Sequence, residues 1–84
     1  MTDEEVRLML AAGLPGAEVE IGGDGHHVDV RVICAEFDGM NRVRRQQRVY
    51  AVLSEAIRSG ALHAVNIRAM TPGEWAAAKQ PTAV

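Results

Sequence analysis

The sequence predicts an α+β domain of order αββααβ(α), in which a three-stranded mixed sheet is covered by helices. Three observations predict it. Apolar residues recur at helical spacing near the N-terminus and again through residues 43–57. They alternate with polar ones in three other stretches, 18–21, 28–34 and 62–70. The second and third of these stretches are separated by the longer helical pattern, and a helical crossover normally joins two parallel strands with right-handed sense.

The elements follow in order. Thr2 with Glu5 forms a capping box. Val6, Met9, Leu10 and Leu14 then share a helix face, with Asp3, Glu4 and Arg7 turned outward. Gly13, Pro15 and Gly16 end that helix. Glu18 to Ile21 alternates as a half-buried strand does, and Gly22-Gly23-Asp24-Gly25 is a turn whose glycines permit positive φ. Val28, Val30, Val32 and Cys34 share one strand face and Asp29 and Arg31 the other, so the first two strands form an antiparallel hairpin. After a loop at residues 36–40, Asn41 caps a second helical stretch with Val43, Gln46, Tyr50, Leu53 and Ile57 on one side. One helix and two helices with a bend both satisfy this pattern. Ser59-Gly60 stops it. The third strand, Leu62 to Met70, carries His63, Val65, Ile67 and Ala69 in phase. Thr71-Pro72-Gly73-Glu74 is a second capping box, with proline at the first helical position, and opens a short helix holding Trp75. The three aromatic residues, Phe37, Tyr50 and Trp75, read as core anchors. Residues 80–84 have no periodic pattern and read as a flexible tail on a single domain of residues 1–79.

Composition narrows the function. At 84 residues the chain has room for one domain with a thin core. It has no apolar run of the roughly 20 residues that span a bilayer. The acidic N-terminus is unlike a secretory signal, and Cys34, the lone cysteine, fits a reducing cytoplasm. The net charge of −2 hides a split of −7 over residues 1–38 and +5 over residues 39–84. No nucleophile stands beside an evident base and no zinc-type cysteine spacing occurs, so an enzyme is not expected.

Two constellations remain. Parallel strands start at the same end of a sheet. The second strand starts at His26-His27 and the third at His63, so the chain's only three histidines are expected at one edge. Taken singly, each would be an ordinary solvated side chain. His26 shares the parity of Val28, but strand phase does not decide between His26 and His27. Arg42, Arg44, Arg45 and Arg48 form the second constellation, a basic helix face suited to docking a partner or to meeting phosphate. Against nucleic acid, residues 42–58 contain no glycine for a backbone-clamping loop, and stacking side chains are scarce.

The element order, with Phe37-Asp38-Gly39-Met40-Asn41-Arg42-Val43 ahead of a basic helix, resembles the BolA-like family. So do Gly23-Asp24-Gly25-His26-His27, Gln46-Gln47-Arg48-Val49-Tyr50, Leu62-His63-Ala64-Val65 and Thr71-Pro72-Gly73-Glu74-Trp75. The likeness runs from about residue 4 to residue 79. Many members carry Arg-His where this chain has Arg45-Gln46, and the Gln-Gln form resembles a bacterial branch associated with acid stress. The resemblance implies a fold akin to the class II KH domain. It also implies a non-enzymatic partner of monothiol glutaredoxins, the two proteins sharing a [2Fe–2S] cluster. It places one ligand at His63 and the other in the hairpin loop, where His27 matches best and His26 stands beside it, while the glutaredoxin supplies its cysteine and glutathione. Some relatives are described as transcription factors, so a regulator using the arginine helix is the alternative. Whether the isolated chain forms a homodimer stays open.

Overall fold

Capping chemistry sets where each helix starts. The Thr2 hydroxyl accepts from the Glu5 N–H at 3.1 Å, and the Glu5 carboxylate accepts from the Thr2 N–H at 3.1 Å. The helix they open, α1, spans Asp3–Gly13. In the computed structural model, which describes residues 1–23 and 27–79, α1 is followed by β1 (Glu18–Gly23), β2 (His27–Ile33), a one-turn 3-10 helix (Ala35–Phe37), α2 (Arg42–Arg58), β3 (Ala64–Met70) and α3 (Pro72–Lys79). The Asn41 side chain caps α2 by accepting from the Arg44 N–H at 2.9 Å. The second capping box also forms, with the Glu74 N–H donating to the Thr71 hydroxyl at 3.1 Å and the Thr71 N–H to the Glu74 carboxylate at 2.8 Å.

The sheet has the order β1-β2-β3. β1 runs antiparallel to β2, with Glu18 opposite Ile33 and Gly23 opposite Val28. β2 runs parallel to β3, with His27 opposite Ala64 and Ile33 opposite Met70. This register puts Val19 and Ile21, Val28, Val30 and Val32, and Val65, Ile67 and Ala69 on one face. There they pack with Val6, Leu10, Leu14, Phe37, Val49, Leu53 and Leu62. An added Cβ on Gly13 would lie 2.7 Å from Val52, so α1 and α2 approach closely at that point. The opposite face is polar. Glu20 pairs with Arg31, Asn66 donates to Asp29 at 3.0 Å, and the Arg31 guanidinium lies 4.0 Å from the Trp75 ring centre.

The α+β class, the mixed three-stranded sheet and the helix positions match the sequence reading, and several details differ. Residues 42–58 form one α-helix, the single-helix form of the expected pattern, and a 3-10 turn at the start of the expected loop seats Phe37 in the core. The buried stripe of α2 is Val49, Leu53 and Ala56. Val43 and Tyr50 are 63% and 47% exposed. Tyr50 stands one residue, about 100°, around the helix from Val49, and the helix turns by that angle to bring Val49 down onto the sheet. Tyr50 is therefore no core anchor. Trp75 is only half-buried, and α3 has no buried residue. Trp75 packs against Arg31 on the polar face instead. β1 continues through the two glycines expected in the turn, and β3 begins two residues later than expected. The positions Asp24, Gly25 and His26, and residues 80–84 with the expected tail, lie outside the described residues.

Candidate functional site: the histidine rim and the arginine helix

Two elements bring His27 and His63 to the same end of the sheet. His27 opens β2 and pairs in register with Ala64, the residue after His63. Both histidines are exposed. His63 is held from both sides: Leu62 before it is 3% exposed and donates its N–H to Ala56 O at 3.0 Å, and Ala64 after it is fixed by the sheet. Gly60, at φ 83°, turns the chain out of α2 towards this point. Gly23, at φ 131°, passes so close to the His27 carbonyl that an added Cβ would lie 2.0 Å from its oxygen. A glycine there lets the end of β1 close on the start of β2.

The phase of His27 agrees with its parity in the sequence, whereas that of His63 differs from the expected one. His27 follows the pleat to the side opposite Val28, with Asp29. His63 precedes β3 and so lies in a loop, where the pleat does not fix its direction. His26 is outside the described residues. Cys34 is 3% exposed, with Sγ 3.9 Å from Pro15 O, and behaves as a core thiol. Among the described residues, no three His, Cys, Asp or Glu side chains are grouped to hold a metal.

Arg42, Arg44, Arg45 and Arg48, in the first half of α2, divide into two kinds. Arg45 donates to Met40 O at 2.9 Å, to Ala69 O at 3.3 Å and to both Glu74 oxygens at 2.6 and 3.2 Å, so it joins α2 to β3 and α3. Arg48 pairs with Glu36 and donates to Gly13 O at 3.1 Å. Arg42 and Arg44 are exposed and, among the described residues, have no carboxylate partner. The hydrogen bonds from Arg45, then the Thr71 N–H, hold the Glu74 carboxyl down from its ordinary 4.5 to about 2.

Sequence reasoning missed two features. The Gln46 amide donates to Ile67 O at 2.7 Å, covering part of the outer edge of β3. A cleft of about 760 Å³ runs across all three strands, from Glu20 on β1 past Arg31 on β2 to Arg68 on β3, and reaches Arg42 and Gln46 at the β3 edge. The alternation of β3 foretells that Arg68 faces away from Ile67, but nothing local says that α2 will bring Arg42 alongside.

Comparison with known proteins agrees with this architecture. The family model described as BolA-like protein matches residues 11–74. The acid stress protein IbaG of Escherichia coli (strain K12) is 45% identical over 76 residues, 90% of each chain. A solved structure of a bolA protein homologue from Coxiella burnetii superposes with a TM-score of 0.81 at 30% identity, covering 90% of this chain and 97% of that one. The BolA domain of SufE1 from Arabidopsis thaliana gives a TM-score of 0.75 at 27% identity, covering 88% and 98%. Among the described residues no helix is long and apolar enough to cross a membrane.

Proposed function

Because the chain belongs to the BolA-like family, we propose that it is a non-enzymatic cytoplasmic partner of a monothiol glutaredoxin, co-ligating a [2Fe–2S] cluster through His63 and His27 for iron–sulfur trafficking or iron and stress regulation. The observation that carries this reading is the register of His27 with Ala64, which brings His27 and His63, both exposed, to one end of the sheet. Neutral imidazole is a competent iron ligand, and such a cluster takes four ligands, so a pair from this chain needs a partner to complete the set. The glutaredoxin's cysteine and its glutathione are the remaining donors. The cluster would supply the redox and acid-labile chemistry of mixed His/Cys ligation. This chain's own part is to present two imidazoles from backbone that is already fixed: His63 between buried Leu62 and the sheet, His27 against Gly23.

The alternative, a regulator that grips nucleic acid with the arginine helix, loses support from the geometry. Arg45 and Arg48 are engaged within the fold, leaving Arg42 and Arg44 for phosphate. The test is co-expression with a monothiol glutaredoxin, followed by visible absorption and CD of the purified pair. The His63→Ala and His27→Ala variants are expected to lose or markedly alter the charge-transfer bands. An unchanged holo spectrum in both variants would refute the assignment.

A further inference from the structure

We propose that the outer edge of β3, from Val65 to Ile67 between Arg42 and Arg68, is a docking groove for an extended acidic segment of a partner protein, which adds to the sheet as a fourth strand parallel to β3. This goes beyond the ligand reading, since the groove works whether or not the imidazoles bind a cluster.

The edge is defined by its hydrogen bonds. Met70 O faces β2, where it accepts from the Cys34 N–H at 2.9 Å. Backbone groups alternate along a strand, so Val65, Ile67 and Ala69 turn their N–H and C=O to the outer side. Two of those carbonyls are covered by side chains of α2: Ile67 O accepts from Gln46, and Ala69 O from Arg45. Val65 O and the Ile67 N–H have no side-chain partner among the described residues. They are the acceptor and donor that a parallel strand needs to bridge to Asn66. The next donor of such a strand falls on Ile67 O, where it displaces the Gln46 amide.

Charge selects the occupant. Arg42 and Arg68 both line the clefts at this edge, both are exposed, and among the described residues neither has a carboxylate partner. Arg42 comes from the helix layer, while Arg68 belongs to the opposite, polar face of β3. The three carboxylates lining these clefts are already engaged, Glu20 by Arg31, Asp29 by Asn66 and Glu74 by Arg45. Adjacent residues of an added strand point to opposite faces, so two consecutive acidic residues meet one arginine each.

The probe is a short blocked peptide with two adjacent glutamates between valines, titrated into the 15N-labelled protein. Binding is expected to shift the Asn66 and Ile67 amides and to slow hydrogen exchange at Ile67. Reversing both arginines, Arg42→Glu with Arg68→Glu, is expected to weaken binding roughly tenfold or more. Gln46→Ala is expected to tighten it, because the competing amide is gone. The proposal is overturned if a lysine-for-glutamate peptide binds equally, if Gln46→Ala leaves the affinity unchanged, or if the shifts avoid β3. It is also overturned if oligothymidylate displaces the peptide and binds more tightly, which would make the groove a nucleic-acid site.

Discussion

The two glycines nearest the histidine rim, Gly23 and Gly60, carry different constraints although they are the same residue type. Gly60 and Gly23 both adopt positive φ, but an added Cβ meets nothing within 4 Å at Gly60 and a backbone oxygen at 2.0 Å at Gly23. Gly60→Ala is therefore expected to cost only the left-handed backbone penalty, roughly 1–2 kcal/mol. Gly23→Ala adds a steric clash that must push β1 away from His27, so its urea midpoint is expected to fall further. Equal midpoints for the two variants would show that the hairpin end yields freely. The same scale explains which residues misled. Tyr50 and Val43 share a plausible helical spacing with Ile57, yet Val49 stands one position before Tyr50 and Ala56 one position before Ile57. Two stripes offset by one residue cannot be ranked without knowing where the sheet lies. Cys34 was readable, because its parity with Val28, Val30 and Val32 admits only one face.

At the scale of elements, the arginines of α2 show why a charge cluster is a poor guide to a surface. Arg44 and Arg45 are adjacent, but only Arg45 faces β3 and α3, where its side chain is 15% exposed. Arg45→Ala leaves Met40 O, Ala69 O and Glu74 without their shared donor and is expected to cost roughly 1–3 kcal/mol. Arg44→Ala is expected to stay within about 0.5 kcal/mol. Parallel urea titrations check the pair, and equal losses would contradict the division. The latch on α3 also has a pH dependence. Glu74 has its carboxyl lowered to about 2 in the fold, so its contribution is fully present above the ordinary value of 4.5 and lost as pH falls towards about 2. Since α3 buries no residue of its own, Trp75 fluorescence is expected to report its release from Arg31 over that interval. In Glu74→Gln the acid-dependent part of that change is expected to be absent. A Trp75 acid titration that Glu74→Gln leaves unaltered would place the control elsewhere. The capping boxes that start α1 and α3 were legible in four-residue words; the Arg45–Glu74 bridge joins residues 29 apart and has no such word.

Across the whole molecule, the core and the histidine rim occupy separate parts of one sheet. The strands are parallel because the crossover is helical, so the common origin of β2 and β3 followed from connectivity alone. That inference needed no knowledge of packing, which is why the neighbourhood of His27 and His63 was legible while the phase of His63 was not: it depends on β3 starting at Ala64 instead of Leu62. Phe37, Leu10 and Leu53 are fully buried and hold the helices to the sheet, whereas His27 and His63 are exposed and absent from that cluster. A small domain has a total stability of about 5–15 kcal/mol, and Phe37→Ala is expected to remove roughly 3–5 of it. Replacing exposed side chains away from caps and ion pairs normally changes stability by no more than about 0.5 kcal/mol. The His63→Ala protein is therefore expected to unfold at the wild-type urea midpoint while losing or markedly altering the colour of the complex with a glutaredoxin. A His63→Ala variant that lost the colour only because it unfolded would instead show a lowered midpoint, and that residue would then be part of the scaffold. A His63→Ala variant that kept both midpoint and colour would free that imidazole from any ligand role.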